Sequence, residues 1–256
     1  MAVEDLLDSG FKAQEQGDLK TALNCYRQAL ELEETVDVWF LLAEAQIESG
    51  MVTKAHKSLI AGLKLDPDNI DLLFSQADLN IEEGNHKKAI EIYKKIITLD
   101  SGEIDAYVSK AVAEMNDGDL DTAMKTCTQA LAIDADSSFA HNALGNIYVE
   151  MAKIGKAKDC FIRASKLDPE DPQPFLSLAD IYYDSDELDQ AEEYCKQGLT
   201  LDAALPFGYL TLGYICLDQD RSQEAIDNFQ QFLLLEKSPD AKYLRDEVAA
   251  VIDGLK

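Results

Sequence analysis

Residues 138–171 read SFAHNALGNIYVEMAKIGKAKDCFIRASKLDPED. The stretch divides into two short amphipathic helices, with a turn after Met151 and a stop at Asp168-Pro169. Proline cannot donate to the helix ladder and disfavours helical backbone in the residue before it. One such helix pair cannot bury its apolar face alone, so it needs neighbours of the same kind. The chain supplies them. With Ser138 as position 1, the alanine of position 20 recurs as Ala22, Ala55, Ala89, Ala123, Ala157, Ala191 and Ala225, spaced by 33 residues once and then by 34 five times. Position 8 is always small: Gly10, Ala43, Ala77, Ala111, Gly145, Ala179 and Gly213. Position 24 holds Tyr26, Leu59, Tyr93, Cys127, Phe161, Cys195 and Phe229. A small residue lets two helix backbones approach, and the larger side chain fills the space that remains.

Seven units of this kind, starting near residues 3, 36, 70, 104, 138, 172 and 206, occupy residues 3–237. Gly17, Gly50, Gly84 and Gly118 mark the turns inside the first four, because a helix end favours left-handed backbone. The last three units place Ala152, Asp186 and Asp220 there, which encode the turn less sharply. Residues 238–256 open on Ser-Pro-Asp, a helix-start signal, and then put Leu244, Val248, Val251 and Leu255 on one face. That spacing predicts a helix capping the open end of a stack. The expected class is all-α.

Charge narrows the partners. Against 49 acidic residues stand 23 Lys and Arg, a net charge of −26. Such a chain is repelled by phosphate backbones and anionic lipid, which argues against nucleic acid and membrane surfaces. No apolar run reaches the roughly 18 residues of a membrane span. The opening MAVEDLLDSG lacks the basic start and apolar centre of a secretion signal. Cys25, Cys127, Cys160, Cys195 and Cys216 are odd in number, widely spaced and without a C-x-x-C pair. Reduced thiols in a cytoplasmic compartment are the expectation, with buried small hydrophobes as their role.

The repeat pattern is similar to that of the tetratricopeptide repeat family. Trp39, Leu42, Ala43, Gly50, Ala55, Leu59, Gly62 and Pro67 carry the resemblance in the second unit. His141, Leu144, Gly145, Tyr148, Ala157, Phe161, Ala164 and Pro169 carry it in the fifth. Ser9, Gln76 and Lys110 depart from the usual Leu at position 7, and Ile96 and Phe232 from a small residue at position 27. The resemblance implies a right-handed superhelical α-solenoid in which the first helix of each pair lines a concave groove. Positions 2, 5, 6, 9, 12 and 13 then face a ligand. Of those 42 sites fourteen are acidic and none is Lys or Arg, whereas 17 of the 23 basic residues fall at positions 16 to 29.

The groove residues singled out are Asp37, Phe40, Glu44, Ile47 and Glu48, echoed one period later by Asp71, Phe74, Asp78, Ile81 and Glu82. Spacings of 3, 4 and 7 put each set on one helical stripe, a carboxylate fringe around an apolar centre. Asp105, Asn142, Asn146, Asp180 and Tyr183 extend the set. Asn142 and Asn146, four apart, can each donate to and accept from a peptide backbone. Later rows are more apolar, with Val108, Leu176 and Leu210 among them.

A protein or peptide partner that is basic and partly apolar fits this lining, extended or helical. One branch of the family clamps acidic chaperone C-termini with basic groove residues. Here the matching positions hold Leu7, Phe11, Asp71, Asp105 and Ser109, so such acidic peptides are disfavoured. The expected function is a non-enzymatic interaction scaffold. Weak self-association through ends or convex face, and chaperoning of a secreted or membrane-inserting substrate, are the alternatives. Chemistry has no foothold. His56, His86 and His141 lack metal-ligand spacing, the calcium-like run from Asn116 to Asp121 falls on a repeat turn, and no phosphate-binding glycine motif occurs. No cofactor or metal is expected.

Overall fold

The computed structural model describes residues 2–255. Fifteen helices and no strand are found among the described residues, which makes the fold all-α. The chain divides into two compact units, with the boundary between residues 133 and 134. The first holds α1 (Val3–Glu15), α2 (Leu19–Leu32), α3 (Val36–Glu48), α4 (Val52–Leu65), α5 (Ile70–Glu82), α6 (His86–Leu99), α7 (Ile104–Asn116) and α8 (Leu120–Ile133). The second holds α9 (Ser138–Glu150), α10 (Ile154–Leu167), α11 (Gln173–Asp184), α12 (Leu188–Leu201), α13 (Pro206–Asp218), α14 (Ser222–Leu235) and α15 (Lys242–Leu255). No helix is long and apolar enough to cross a membrane among the described residues.

In the first unit, α1 packs on α2, α3 on α4, α5 on α6 and α7 on α8, and each pair leans on the next. Short turns send the second helix of each pair back along the first. Gly17, Gly50, Gly84 and Gly118 take φ of 67° to 88°, the left-handed values a helix C-terminus asks of its next residue. Side-chain caps fix the other ends: Asp18, Thr35 and Asn69 accept from Thr21, Val38 and Leu72 backbone N–H groups. Asp119 does the same for Thr122 at 3.1 Å, which explains the calcium-like run as a helix start. Position 24 fills the space beside position 8 in every pair, and Tyr26, Leu59, Tyr93 and Cys127 are buried.

Departures from the repeat pattern are absorbed locally. Ile96 is fully buried beside Tyr93 and Ala89. Lys110 is buried as well, its ammonium donating to Glu114 Oε1 at 2.6 Å and to Thr126 Oγ1 at 3.0 Å. Thr126 in turn donates to Glu114 Oε2 at 2.7 Å, which closes the triad. Buried charge is tolerated only when paired in this way.

The second unit repeats the scheme with phenylalanine in place of tyrosine. Phe161 and Phe229 lie against Gly145 and Gly213, where a Cβ would stand 2.5 Å from the ring. Ala152, Asp186 and Asp220 adopt φ of 55°, 61° and 61°, so these turns keep the glycine geometry without glycine. The neighbouring bonds hold them there, with Lys153, Glu187 and Arg221 N–H donating to Tyr148, Tyr182 and Cys216 carbonyls at 2.8 to 2.9 Å. Cys195 is buried and donates to the Gly208 carbonyl at 2.9 Å, and burial pushes its pKa up to about 12. That thiol is a packing group, not a nucleophile. Helix α15 lays Val248 and Ile252 against Phe229 and Phe232.

Candidate functional site

In the first unit α3 and α5 enclose a cleft of about 340 Å³, lined by Phe40, Glu44 and Ile47 from one helix and Asp71, Phe74, Ser75, Asp78, Leu79 and Glu82 from the other. Seven of these are residues the sequence singles out; Ser75 and Leu79 are additions. Phe40 and Phe74 are half-buried, each packing one face into the core and presenting the rest to the cleft.

The carboxylates are held by neutral donors. Ser75 Oγ donates to Glu44 Oε1 at 2.7 Å, and Tyr93 Oη donates to Asp78 Oδ1 at 2.5 Å. Ser109 donates in turn to the Tyr93 phenol. Burial, then the bond to Asp78, raises the Tyr93 pKa far above its ordinary value, so the ring stays a donor. Among the described residues no ion pair involves Glu44, Asp71, Asp78 or Glu82. Basic side chains are spent elsewhere: Lys95 of α6 reaches back to Asp68 ahead of α5 at 3.0 Å, and His56 of α4 reaches Glu83 of the next pair at 2.9 Å.

Other expected residues lie outside this cleft. Asp37 and Asp105 sit exposed in the first turns of α3 and α7, where a carboxylate meets the positive end of the helix dipole. Glu48 accepts from Gln14 Nε2 of α1 at 2.5 Å. Ile81 packs on the core beside Phe74, and Val108 is fully buried, so it is core and not lining.

The second unit has a smaller cleft of about 270 Å³ between α9, α10 and α11. Asn146, Ser177, Asp180 and Asp184 give its polar groups, and Val149, Ile154, Phe161 and Ile181 its apolar wall. Asp180 Oδ1 accepts from Thr211 at 2.9 Å. Its side chain is open to water on one side yet ringed by protein on the others. Burial raises its pKa, Thr211 opposes the rise, and the charge of Asp184 adds to it. Asn142 does not line this cleft, and its Oδ1 is buried without a partner. Tyr183 donates to Asp218 at 2.8 Å, with its pKa pushed up to about 12 by burial and then by that bond. Leu176 and Leu210 pack against the core of this unit.

Among the described residues no three His, Cys, Asp or Glu side chains gather as a metal-holding group. The tetratricopeptide repeat family model matches residues 13–77 and 80–147, and a second tetratricopeptide repeat model matches residues 142–206. No curated protein sequence matches the chain. Among solved structures, a tetratricopeptide repeat protein from Parabacteroides merdae ATCC 43184 is 18% identical with a TM-score of 0.79, covering 98% of each chain. Yeast Tom70 is 17% identical with a TM-score of 0.79 over 99% of this chain and 53% of its own. The APC/C hetero-tetramer Cut9-Hcn1 supplies a chain 16% identical, with a TM-score of 0.71 over 95% of this chain and 55% of that one. Likeness at such identities speaks for the fold alone.

Proposed function

The chain belongs to the tetratricopeptide repeat family, and we propose that it is a non-enzymatic scaffold binding a basic, partly apolar segment of a partner protein. The family's fold is in general a protein-interaction scaffold. We take residues 3–237 as seven tandem repeats and 238–256 as their cap, with a cytoplasmic setting for the reduced cysteines. The observation that carries the reading is the α3–α5 cleft, where four carboxylates without a cation surround half-buried rings. Carboxylates steer such a partner and the apolar centre supplies most of the affinity. The hydroxyl donors fix the acids in place while leaving their charge intact. Asp105, Asn142, Asn146, Asp180 and Tyr183 extend the binding surface in this reading.

A cationic amphipathic helix-forming peptide should bind the full chain, and more weakly as salt rises. Glu44→Lys with Asp78→Lys should lower that affinity at least tenfold, about 1.4 kcal/mol or more, while the helical circular dichroism stays unchanged. Equal binding of an acidic peptide, or indifference to salt, would sink the proposal. Self-association is the second reading, supported by Leu234 and Tyr243, which are 63% and 81% exposed near the last helix. Sedimentation over a range of protein concentrations separates the two: a stable monomer removes the second.

A further inference from the structure

We propose that the α3–α5 cleft is an anchor site for a single arginine side chain of the partner, a reading that rests on the scaffold function and narrows it. Four features of the cleft select that group.

Size is the first. About 340 Å³ lies at the small end of ligand pockets, typically ~300–1,000 Å³, and suits one long side chain rather than a folded element. The second is the state of the two central acids. Glu44 and Asp78 each give one oxygen to a hydroxyl, Ser75 or Tyr93, and keep the other, Oε2 or Oδ2, without a protein partner among the described residues. Two carboxylate oxygens oriented in this way suit a forked donor. Third, the Phe40 and Phe74 rings line the same cleft and offer apolar and π surface there. A guanidinium is planar, weakly hydrated and stacks on aromatic faces, whereas an ammonium is a strongly hydrated point charge. A bare metal ion would gain nothing from these rings.

The fourth feature is a cost. Glu44 with Glu48, and Asp78 with Glu82, are like charges four apart on one helix, without a cation nearby to relieve them. Such pairs weaken a helix. A cation bound beside both pairs would relieve that repulsion.

The test uses the full chain, isotope-labelled, with three capped peptides as probes: acetyl-Leu-Arg-Leu-amide and the same peptide with lysine or with citrulline. Citrulline keeps the shape of arginine and removes its charge. The arginine probe should shift amide resonances of α3 and α5 and bind about fivefold or more tighter than the lysine probe, with citrulline weaker still. Asp78→Asn and Glu44→Gln, which keep the acceptors for Tyr93 and Ser75, should each weaken the arginine probe by about fivefold. Neither should lower the Tm. Equal affinity for arginine and lysine, equal affinity for citrulline, or shifts outside α3 and α5 overturns the proposal. A fall in Tm in both variants marks the acids as structural and overturns it too. If the long cationic peptide binds with salt sensitivity while the arginine probe shows no preference, only the anchor is wrong. If neither binds, the scaffold reading fails with it.

Discussion

Asp180 shows at the scale of one residue what the lining of these helices costs. Burial raises its pKa above the ordinary 3.8, with Thr211 opposing and Asp184 reinforcing the rise. A carboxyl whose folded pKa exceeds its unfolded one favours the fold while protonated. That contribution is complete below the ordinary value and is lost as pH climbs through the raised one. Asp180→Asn should therefore unfold at a higher temperature than the parent near pH 7, and the gap should close as pH falls toward about 3.5. Thermal unfolding at the two pH values decides it; a gap that widens in acid contradicts the sign. Sequence periodicity is enough to mark Glu44, Asp78 and Asp180 as facing residues. It is silent on their hydroxyl partners, since one serine or threonine on a helix face has no signature of its own. The signal becomes visible only with the register of neighbouring pairs: Ser75 follows Glu44 and Thr211 follows Asp180, each by 31 residues, whereas Asp78 is met by Tyr93 of its own pair. Asn146 and Ser177 share that spacing and one cleft.

Between helices, volume is exchanged in pairs. Glycine at position 8 faces a ring at position 24, as in Gly10 with Tyr26, Gly145 with Phe161 and Gly213 with Phe229, where an added Cβ would come to 2.5 Å. Alanine there faces Leu59, Cys127 or Cys195, which leave room for the methyl group. Ala77 with Tyr93 is the exception, and Tyr93 is also the ring that extends to Asp78. Gly145→Ala should destabilise the chain by about 1–3 kcal/mol through overpacking. Adding Phe161→Leu should recover part of the loss, because the pair then resembles Ala43 with Leu59. Denaturant titration of the three proteins measures the coupling, and strict additivity would contradict this packing. Fold and helix pairing are thus legible from the sequence, because small and large positions recur with one period. The left-handed turns at Ala152, Asp186 and Asp220 are less so, since tertiary packing and not local preference sets them. Lys110 reads from sequence as a misfit at an apolar position, and only Glu114 and Thr126 across the helix pair explain it.

Over the whole chain the two signs of charge are separated by role. Most of the 23 basic residues belong to second helices, and several bind acids of adjoining segments, Lys95 and Arg163 reaching back to Asp68 and Asp136 ahead of their own pairs and Lys158 forward to Glu187 of the next. Among the described residues the acids of the first helices form no ion pair except Glu114, which holds Lys110. A net charge of −26 then acts on folding and on binding in opposite ways. Self-repulsion among unpaired carboxylates opposes the compact state and is screened by salt, so added salt should raise the Tm. Attraction to a cationic ligand is screened by the same ions, so added salt should weaken binding. The two slopes share one origin if the cleft acids supply both. Asp71→Asn, Asp78→Asn and Glu82→Gln together should therefore raise the Tm at low salt, flatten its rise between about 20 and 200 mM NaCl, and flatten the salt dependence of cationic-peptide binding. Surface acids spread evenly over the chain would instead leave both slopes nearly unchanged on losing three charges. Thermal scans and peptide titrations at the two salt concentrations separate these cases, and a triple variant that binds as the parent does rules out the cleft as the site of attraction.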